Sequence, residues 1–367
     1  MDLSLLPDGG MSWLDASGPE SHIVLSTRVR LARNLSGMSF TIRSPDTERE
    51  TVLEVVATAG RQTRQLKDAA LLRMDALDRT DRQVLHERHL VSKELAGLER
   101  EGQVRRGSAV LTAGDAGVMI NEEDHLRLQC LRSGLALGPA YTDLERLDAD
   151  LGTRLPFAFH PEFGYLTACP TNAGTGLRAS VLIHLPGLVL TKEIAKVLQG
   201  LSQVGLTFRG LYGEGSEVVG NFFQLSNQTT LGKSEEDLLD HLVKIVRQVI
   251  EYEERAREVL QRDAPTVIAD KVWRAYGLLR YARSLSFEET MNLLSGVRLG
   301  VGLQLIPDLG VYTLNKLLIF TQPAHLAQME GRPLSDPDLP IARAQYVRRM
   351  LEADAARSSR GPQEKNP

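Results

Sequence analysis

Two kinds of periodicity, meeting near residue 230, predict an α+β protein with a sheet-centred region followed by an all-helical one. Short apolar runs bounded by Gly, Pro, Asn and Asp clusters recur through the first 230 residues, as strands joined by turns require. The clearest is Cys169-Pro-Thr-Asn-Ala-Gly-Thr-Gly-Leu-Arg-Ala-Ser180 running into the apolar stretch 181–185, which reads as strand, tight loop, strand. From Ser234 onward the apolar positions Leu238, Leu239, Leu242, Ile245, Val246, Val249 and Ile250 keep helical spacing. No internal repeat interrupts either region.

Taken in order, residues 1–20 are rich in Gly, Ser, Pro and Asp and predict an N-terminal arm, pinned by Trp13. In Ser26-Thr27-Arg28-Val29-Arg30-Leu31, period-2 alternation puts both arginines on one strand face and Val29 and Leu31 on the other. Two adjacent guanidinium groups repel unless an anion lies between them, so a polyphosphate is one reading and a solvated strand face the other. Residues 48–78 space Val52, Val55, Val56, Leu66, Ala69 and Leu72 like two helices broken at Gly60. His86 and His89 follow; with no Cys or carboxylate at zinc spacing, they read as helix-end or surface histidines.

Residues 108–113 and 117–120 predict a hairpin that delivers the chain to Asn121-Glu122-Glu123-Asp124-His125-Leu126-Arg127. The three acids read as the N-terminus of a helix from His125 through 135, resuming beyond Gly138-Pro139 to 151, with Cys130 a packed thiol inside it. Alternatively, one acid is aimed at a cation and Arg127 at an anion. Strands are expected at 157–159, 164–169, 179–185, 206–211 and 221–225, and a helix at 191–201. The turn Arg209-Gly-Leu-Tyr-Gly-Glu214-Gly presents one carboxylate between glycines. A long helix spans 234–262 with Ser234 and Asp237 as a capping box. Helices are then expected at 267–283, 287–299, 309–320 and 341–355. The polar residues 356–367 read as a disordered tail. The domains expected are 1–20, 21–262, 263–355 and 356–367.

Composition removes several function classes. The 43 Lys+Arg are balanced by 47 Asp+Glu, so nothing favours nucleic acid as a direct partner. Two cysteines, Cys130 and Cys169, form no disulfide framework. With no secretory signal and no membrane-length apolar run, a cytoplasmic protein without membrane contact is expected.

What remains is a constellation: Arg28, Arg30, Arg127, Arg178 and Arg209 beside strand ends or turns, Glu123 and Glu214 in loops, and the Cys169 thiol. Five arginines can neutralise a triphosphate and the charge of a transferring phosphoryl group. The chain has neither a Gly-x-x-x-x-Gly-Lys-Ser/Thr loop nor the Gly-rich loop and His-Arg-Asp of protein kinases. Two loop carboxylates can hold a cation and accept a proton. Cys169 is either a thiolate favouring that cation or an inert packed thiol.

Ser-Thr-Arg-Val-Arg, Asn-Glu-Glu-Asp-His-Leu-Arg, Cys-Pro-Thr-Asn-x-Gly-Thr-Gly-Leu-Arg-Ala-Ser and Arg-Gly-x-x-Gly-Glu, in this order, resemble the phosphagen (guanidino) kinase family, nearest its bacterial protein-arginine kinase branch. The resemblance runs from about residue 20 to 355. It implies a catalytic domain like that of glutamine synthetase, an antiparallel sheet flanked by helices, followed by a helical C-terminal domain. The activity it implies is ATP-dependent phosphorylation of protein arginine side chains.

Residue by residue, the resemblance places ATP against Ser26, Thr27, Arg28, Val29 and Arg30, then His89 on the adenine side. Further contacts are Arg127; Arg178, Ala179, Ser180, Val181 and Leu182; and Arg209, Gly210, Leu211, Tyr212, Gly213 and Glu214. Glu123 and Glu214 match the guanidinium clamp and Cys169 the reactive cysteine. Magnesium would be held mainly by the nucleotide, with no protein ligand. Partners implied are proteins with exposed arginine, a heat-shock repressor, a zinc-finger activator and a Clp-type chaperone-protease, linking the activity to stress response, with a homodimer through the helical region.

Two departures bear on this. The helical substrate domain of the small-molecule kinases has no counterpart ahead of Ser26, which favours a protein acceptor over a free guanidino compound. In the C-terminal region, Leu339-Pro340-Ile341-Ala342-Arg343-Ala344 keeps only the second half of the Arg-Asp-x-x-Arg-Ala phosphoarginine motif, so a regulatory pocket at Arg343 and Ala344 lacks its leading pair. A small-molecule guanidino kinase and a catalytically silent adaptor are the alternative readings.

Overall fold

The structure is a computed structural model, and it describes residues 11–99, 103–211, 218–228 and 230–358. After a 3-10 turn at Ser12–Leu14, the chain forms β1 (Val24–Arg33), α1 (Asp46–Arg61), β2 (Ala70–Arg73), α2 (Arg79–Glu87), β3 (Ala109–Ala113), β4 (Ala116–Ile120) and β5 (Leu126–Ser133). Then come α3 (Leu137–Gly152), β6 (Phe159–His160), β7 (Gly164–Tyr165), β8 (Leu177–His184), α4 (Pro186–Leu190), α5 (Ile194–Gln203), β9 (Leu206–Arg209) and β10 (Phe222–Asn227). Helices complete the chain: α6 (Glu235–Asp263), α7 (Pro265–Tyr281), α8 (Phe287–Gly302), α9 (Val311–Phe320), α10 (Pro323–Glu330) and α11 (Asp338–Ser358).

Eight strands make one sheet in the order β2-β3-β4-β5-β1-β8-β10-β9, every neighbouring pair antiparallel. The expected α+β class is therefore found. One face of the sheet is apolar: Val29, Leu31, Leu128, Cys130, Ala179, Val181 and Leu225 pack on α1, α3 and α6 in the main core. The other face is shared. Helices α7 to α11 build a second core that takes in Leu25, Leu182, Leu211 and Phe222. A third cluster joins the end of α2 to Leu72, Val110 and Met119. Between them part of that face stays open.

Two elements expected as helices are strands. Residues 126–133 form β5, because the acids before them are a hairpin turn; Asn121 takes φ +57, a left-handed conformation that asparagine tolerates. Residues 70–73 form the edge strand β2, so only the first of the two helices expected at 48–78 exists. Cys130 is packed as expected, but on a strand, and burial pushes its thiol up to about 12. The expected strands at 157–159 and 164–169 shrink to the two-residue β6 and β7, and α10 was not expected. The capping box at Ser234 and Asp237 is present. Among the described residues no helix is long and apolar enough to cross a membrane.

Candidate active site

The register of the sheet collects the arginines. Arg30 lies opposite Gln129 of β5 and Arg178 of β8, Arg28 opposite Leu131 and Ser180, and Arg127 two residues from Gln129 on the same face. Cross-strand neighbours stand about 5 Å apart at Cβ, so four guanidinium groups share one patch of sheet. Burial and the charges of Arg127 and Arg178 bring Arg28 down to about 10. Arg30 is held well below its ordinary value by burial and by Arg28, Arg127 and Arg178, and its buried Nε has no hydrogen-bond partner among the described residues. A face this costly in the free protein is built for a polyanion.

Beside this patch a small cleft is lined by Ser26, Arg28, His89, Leu131, Ser180, Leu182, Leu211 and Gln224. His89 sits at φ +61, edge-on to Trp13 at 5.3 Å between ring centres, which packs the buried Trp13 against the cleft wall. Burial holds His89 far below the usual histidine value, with Arg28, His86 and Arg30 adding to it, so the ring facing the cleft is neutral. Gln129 donates from Nε2 to the carbonyls of His89 (3.1 Å) and Leu90 (3.0 Å), tying that loop to β5.

The pleat divides the expected ATP set between the two faces of the sheet. Val29, Ala179 and Val181 alternate onto the opposite face and are core residues. Thr27 is fully buried there too, its hydroxyl donating to Gly134 O and accepting from Ala136 N. Only the main chain of these four can lie near the patch. Ser26, Arg28, Arg30, Arg178, Ser180 and Leu182 are on the open face. Arg209 closes β9, its Cα paired with that of Gln224, and Gly210 and Leu211 follow it. Tyr212, Gly213 and Glu214 lie outside the described residues.

At one edge of the patch, the turn between β4 and β5 divides its acids by role. Glu122 is buried and bonds Arg127 at 2.5 Å. Burial would raise its carboxyl, but Arg127, Ser92, the Glu123 N–H and Arg30 hold it below the usual carboxylate value. Glu123 reaches Arg127 only at 3.3 Å and keeps 29% of its side chain exposed, so it is the acid available to a substrate. Burial raises its pKa; Asp124, Glu122 and Glu94 add to that against Arg127. A raised carboxylate beside a cation site is suited to taking a proton.

Asp124 joins this turn to the Cys169 loop. Its Oδ1 accepts from Asn34 Nδ2 and from Ala168 N, each at 2.6 Å, while Asn34 Oδ1 accepts from His125 N at 2.9 Å. The loop is fixed from its other side by Thr230, whose hydroxyl donates to the carbonyls of Thr171 and Ala173. Gly176, at φ +68, could not be replaced, since a Cβ there would lie 2.6 Å from Ala32 O. The half-buried Cys169 Sγ lies 3.0 Å from Thr171 Oγ1. Neither Asn34 nor Asp124 was among the expected site residues, although Asn34 ends the Arg28–Arg33 run and Asp124 follows Glu123 directly.

The incomplete pair Arg343 and Ala344 lies inside the C-terminal core. Arg343 is buried, donating from Nε to Thr321 O and from Nη1 to Leu285 O, both at 2.9 Å, and Ala344 is fully buried. These carbonyl bonds commit Nε and Nη1 of Arg343 to stitching α11 to the end of α9 and to the α7–α8 connection.

Fold and site together define a guanidino phosphotransferase. The profile of the ATP:guanido phosphotransferase C-terminal catalytic domain matches residues 50–256, and the chain belongs to that family. Its branch follows from the rest of the chain: residues 265–362 match the protein-arginine kinase McsB C-terminal domain. The protein-arginine kinase of Pelotomaculum thermopropionicum is 45% identical over 92% of this chain and 94% of its own. That of Bacillus cereus is 42% identical over 93% and 96%. Among solved structures, the duplicated taurocyamine kinase of Schistosoma mansoni with bound transition-state analogue components superposes with a TM-score of 0.58 at 27% identity, covering 77% of this chain and 41% of that one. A lombricine kinase superposes with a TM-score of 0.55 at 23% identity, covering 66% and 70%, a likeness of fold alone.

Proposed function

We propose that the protein transfers the γ-phosphoryl group of ATP to the guanidinium of arginine side chains in proteins. The observation that carries this is the juxtaposition of four arginines on one open sheet face with Glu123, a carboxylate of raised pKa, at its edge. Arg28, Arg30, Arg127 and Arg178, with Arg209, bind the triphosphate and keep the γ-phosphoryl group in place as charge shifts onto its oxygens. His89 and the cleft beside it take the base. Glu123 grips the acceptor guanidinium, whose pKa above about 12 leaves it protonated and a poor nucleophile. As the acceptor nitrogen bonds to phosphorus and the bond to the ADP oxygen breaks, the displaced proton passes to Glu123. In the same reading Glu214 is the second jaw and the Cys169 thiolate the third contact of that guanidinium.

Magnesium fits as part of the nucleotide complex: the face offers guanidinium groups, and its buried acid Glu122 is already committed to Arg127. When bound, the ion neutralises phosphate charge that the arginines do not reach. The relatives named protein-arginine kinase support a protein acceptor. A stress-response role feeding Clp-type proteolysis, in the cytoplasm, is the corresponding biological reading. Exposed Val267, Trp273, Leu278 and Tyr281 on α7 support a homodimer through the helical region, and we take the chain to divide at the junction of α6 and α7.

The test is incubation with Mg-ATP and an unstructured arginine-containing protein, followed by mass spectrometry under non-acidic conditions. Acid-labile phosphate on arginine is expected. Phosphate only on free arginine would refute the protein acceptor, and none on either would refute the chemistry.

A further inference from the structure

A buried polar cluster behind the arginine patch joins the C-terminal helices to the nucleotide cleft. Helix α10 opens Pro323-Ala324-His325 with Gln322 at its cap position, and no side chain of its own segment caps it. The cap comes instead from the end of α2. Glu87 Oε1 accepts from Ala324 N at 3.0 Å, and Oε2 accepts from His325 N at 3.1 Å and from His325 Nδ1 at 2.7 Å. One carboxylate thus satisfies two orphan amides of the first turn, where the helix dipole favours a negative charge.

The next residue completes the lock. Arg88 donates from Nε to His325 Nε2 at 3.1 Å. A ring that accepts at Nε2 and donates at Nδ1 is the neutral tautomer. Burial, which outweighs the opposing pull of Glu87, keeps His325 below the usual histidine value and agrees with that. Phe320 stands edge-on to the His325 ring at 5.2 Å. Glu87, Arg88 and His325 are all buried, at 3%, 3% and 1% exposure, so this is a dry joint and not a surface ion pair.

Directly after Arg88 comes His89, in its left-handed conformation, lining the cleft. The backbone between the joint and the cleft is a single residue step, too short to absorb a shift of α10. The same helices brace His89 a second time: Asn315 of α9 donates to Leu14 O at 2.9 Å, and Ile319 packs with Trp13, whose ring meets His89.

We propose that Glu87 and His325 are positioning residues for nucleotide binding, through which the N-terminus of α10 sets His89 against the cleft. This rests on the reading of His89 as a nucleotide contact. The C-terminal helices therefore act on ATP affinity and leave the acceptor side, built from Glu123 and the Cys169 loop, untouched.

The test uses the full chain and steady-state kinetics with Mg-ATP and an unstructured protein acceptor. Glu87→Gln replaces one accepting oxygen with an amide that opposes the donors of α10, and His325→Ala removes the ring. Each is expected to raise KM for ATP about tenfold, the scale of a buried charge-assisted hydrogen bond. Both kcat and KM for the acceptor should stay within about twofold, because interactions made only at the nucleotide move only its KM. His325→Asn, whose amide can still donate to Glu87, should recover most of the ATP affinity. In a Trp273→Phe background, the fluorescence of Trp13 should change on nucleotide binding in the parent and less in Glu87→Gln.

A fall in melting temperature with an unchanged KM for ATP would make the joint merely structural and overturn the proposal. So would a parallel loss in kcat and both KM values. If His325→Ala does not fold, Glu87→Gln and His325→Asn decide. His89→Ala separates the two layers: no effect there would defeat the nucleotide role of His89, whereas an effect there with none in Glu87→Gln defeats only the positioning.

Discussion

Replacing Arg28 by methionine should make the free protein more stable and the nucleotide-bound protein less so. Arg28 sits among cations that share its face, and its pKa is held at about 10 against an ordinary 12.5. Each pH unit of such a depression is worth about 1.4 kcal/mol, so the gap corresponds to roughly 3 kcal/mol against folding. Partial exposure and salt screen this to about 1–2 kcal/mol. The sign follows from linkage: a base whose folded pKa is depressed opposes folding at all pH below that folded value. The penalty is therefore full at pH 7 to 8 and fades only as pH rises through 10. Methionine keeps much of the volume and removes the charge.

Bound nucleotide should reverse the order. At a thousandfold excess over Kd, ligand stabilises the native protein by about 4 kcal/mol, while a variant that binds a hundredfold more weakly gains only about 1.4 kcal/mol. Urea unfolding with and without Mg-ADP, at low and high salt, measures both. The free variant should unfold at higher urea, by a margin that shrinks as salt rises. The ligand-bound variant should unfold at lower urea than its parent. A variant less stable in the free form would refute the claim that these arginines are held together against their own repulsion.

Because burial and the neighbouring acids raise Glu123, the acid limb of kcat/KM should fall above the ordinary glutamate range. Glu94→Gln should move it to lower pH, since Glu94 is one of the charges raising Glu123; a pH–rate profile checks this. Asp124→Ala should cost about 1–3 kcal/mol and most of the turnover, by leaving Ala168 N without its acceptor and Asn34 Nδ2 with only the Leu166 carbonyl. Asp124→Asn keeps Oδ1 and should stay close to the parent in urea midpoint and turnover. Glu253, fully buried, accepts from Gly187 N and Leu188 N at 2.9 Å and pairs with the buried Arg257 at 2.7 Å. Glu253→Ala should cost about 3–5 kcal/mol in thermal or urea unfolding, as loss of one partner from a buried pair does, and Glu253→Gln less. Finally, burial holds His86, His89, His125, His184 and His325 below their ordinary pKa. For a base depressed by folding, the stability is fully present above the unfolded pKa of about 6.5 and is lost as pH falls below it, by up to ~1.4 kcal/mol per pH unit for each histidine. Urea midpoints at pH 7.5, 6.5 and 5.5 should therefore drop, and less steeply in His184→Gln.

The candidate site is legible in the chain as far as its residues fall in local motifs, and part of the fold is not because its cause is tertiary. Arg28 and Arg30 could be placed on one face by alternation alone, and Val29 and Leu31 on the other. That same alternation splits the contiguous ATP segment: a strand that turned the side chains of Arg28, Arg30, Arg178 and Ser180 to a ligand would offer it only the main chain of Thr27, Val29, Ala179 and Val181. Strand β5 reads as a helix in the sequence because Glu122, Glu123 and Asp124 look like the acidic first turn of one. What decides otherwise is register: Leu126, Leu128 and Cys130 complete the core face against β1, and Arg127 and Gln129 complete the open face.

The division of labour among the three acids needed the structure for the same reason. Glu122, Glu123 and Asp124 are chemically alike and consecutive. One is buried on Arg127, one is half-exposed and raised, and one is locked to Asn34 and Ala168, because a tight turn points successive side chains in different directions. The Glu87–His325 joint lies further still from what a chain can show. Its partners are 238 residues apart, and neither motif nor spacing connects them. Evenly charged chains such as this one hide their costly groups well: the repelling arginines and the buried carboxylates Glu87, Glu122 and Glu253 become visible only as neighbours. That is where affinity for a polyphosphate and its dependence on the C-terminal helices are set.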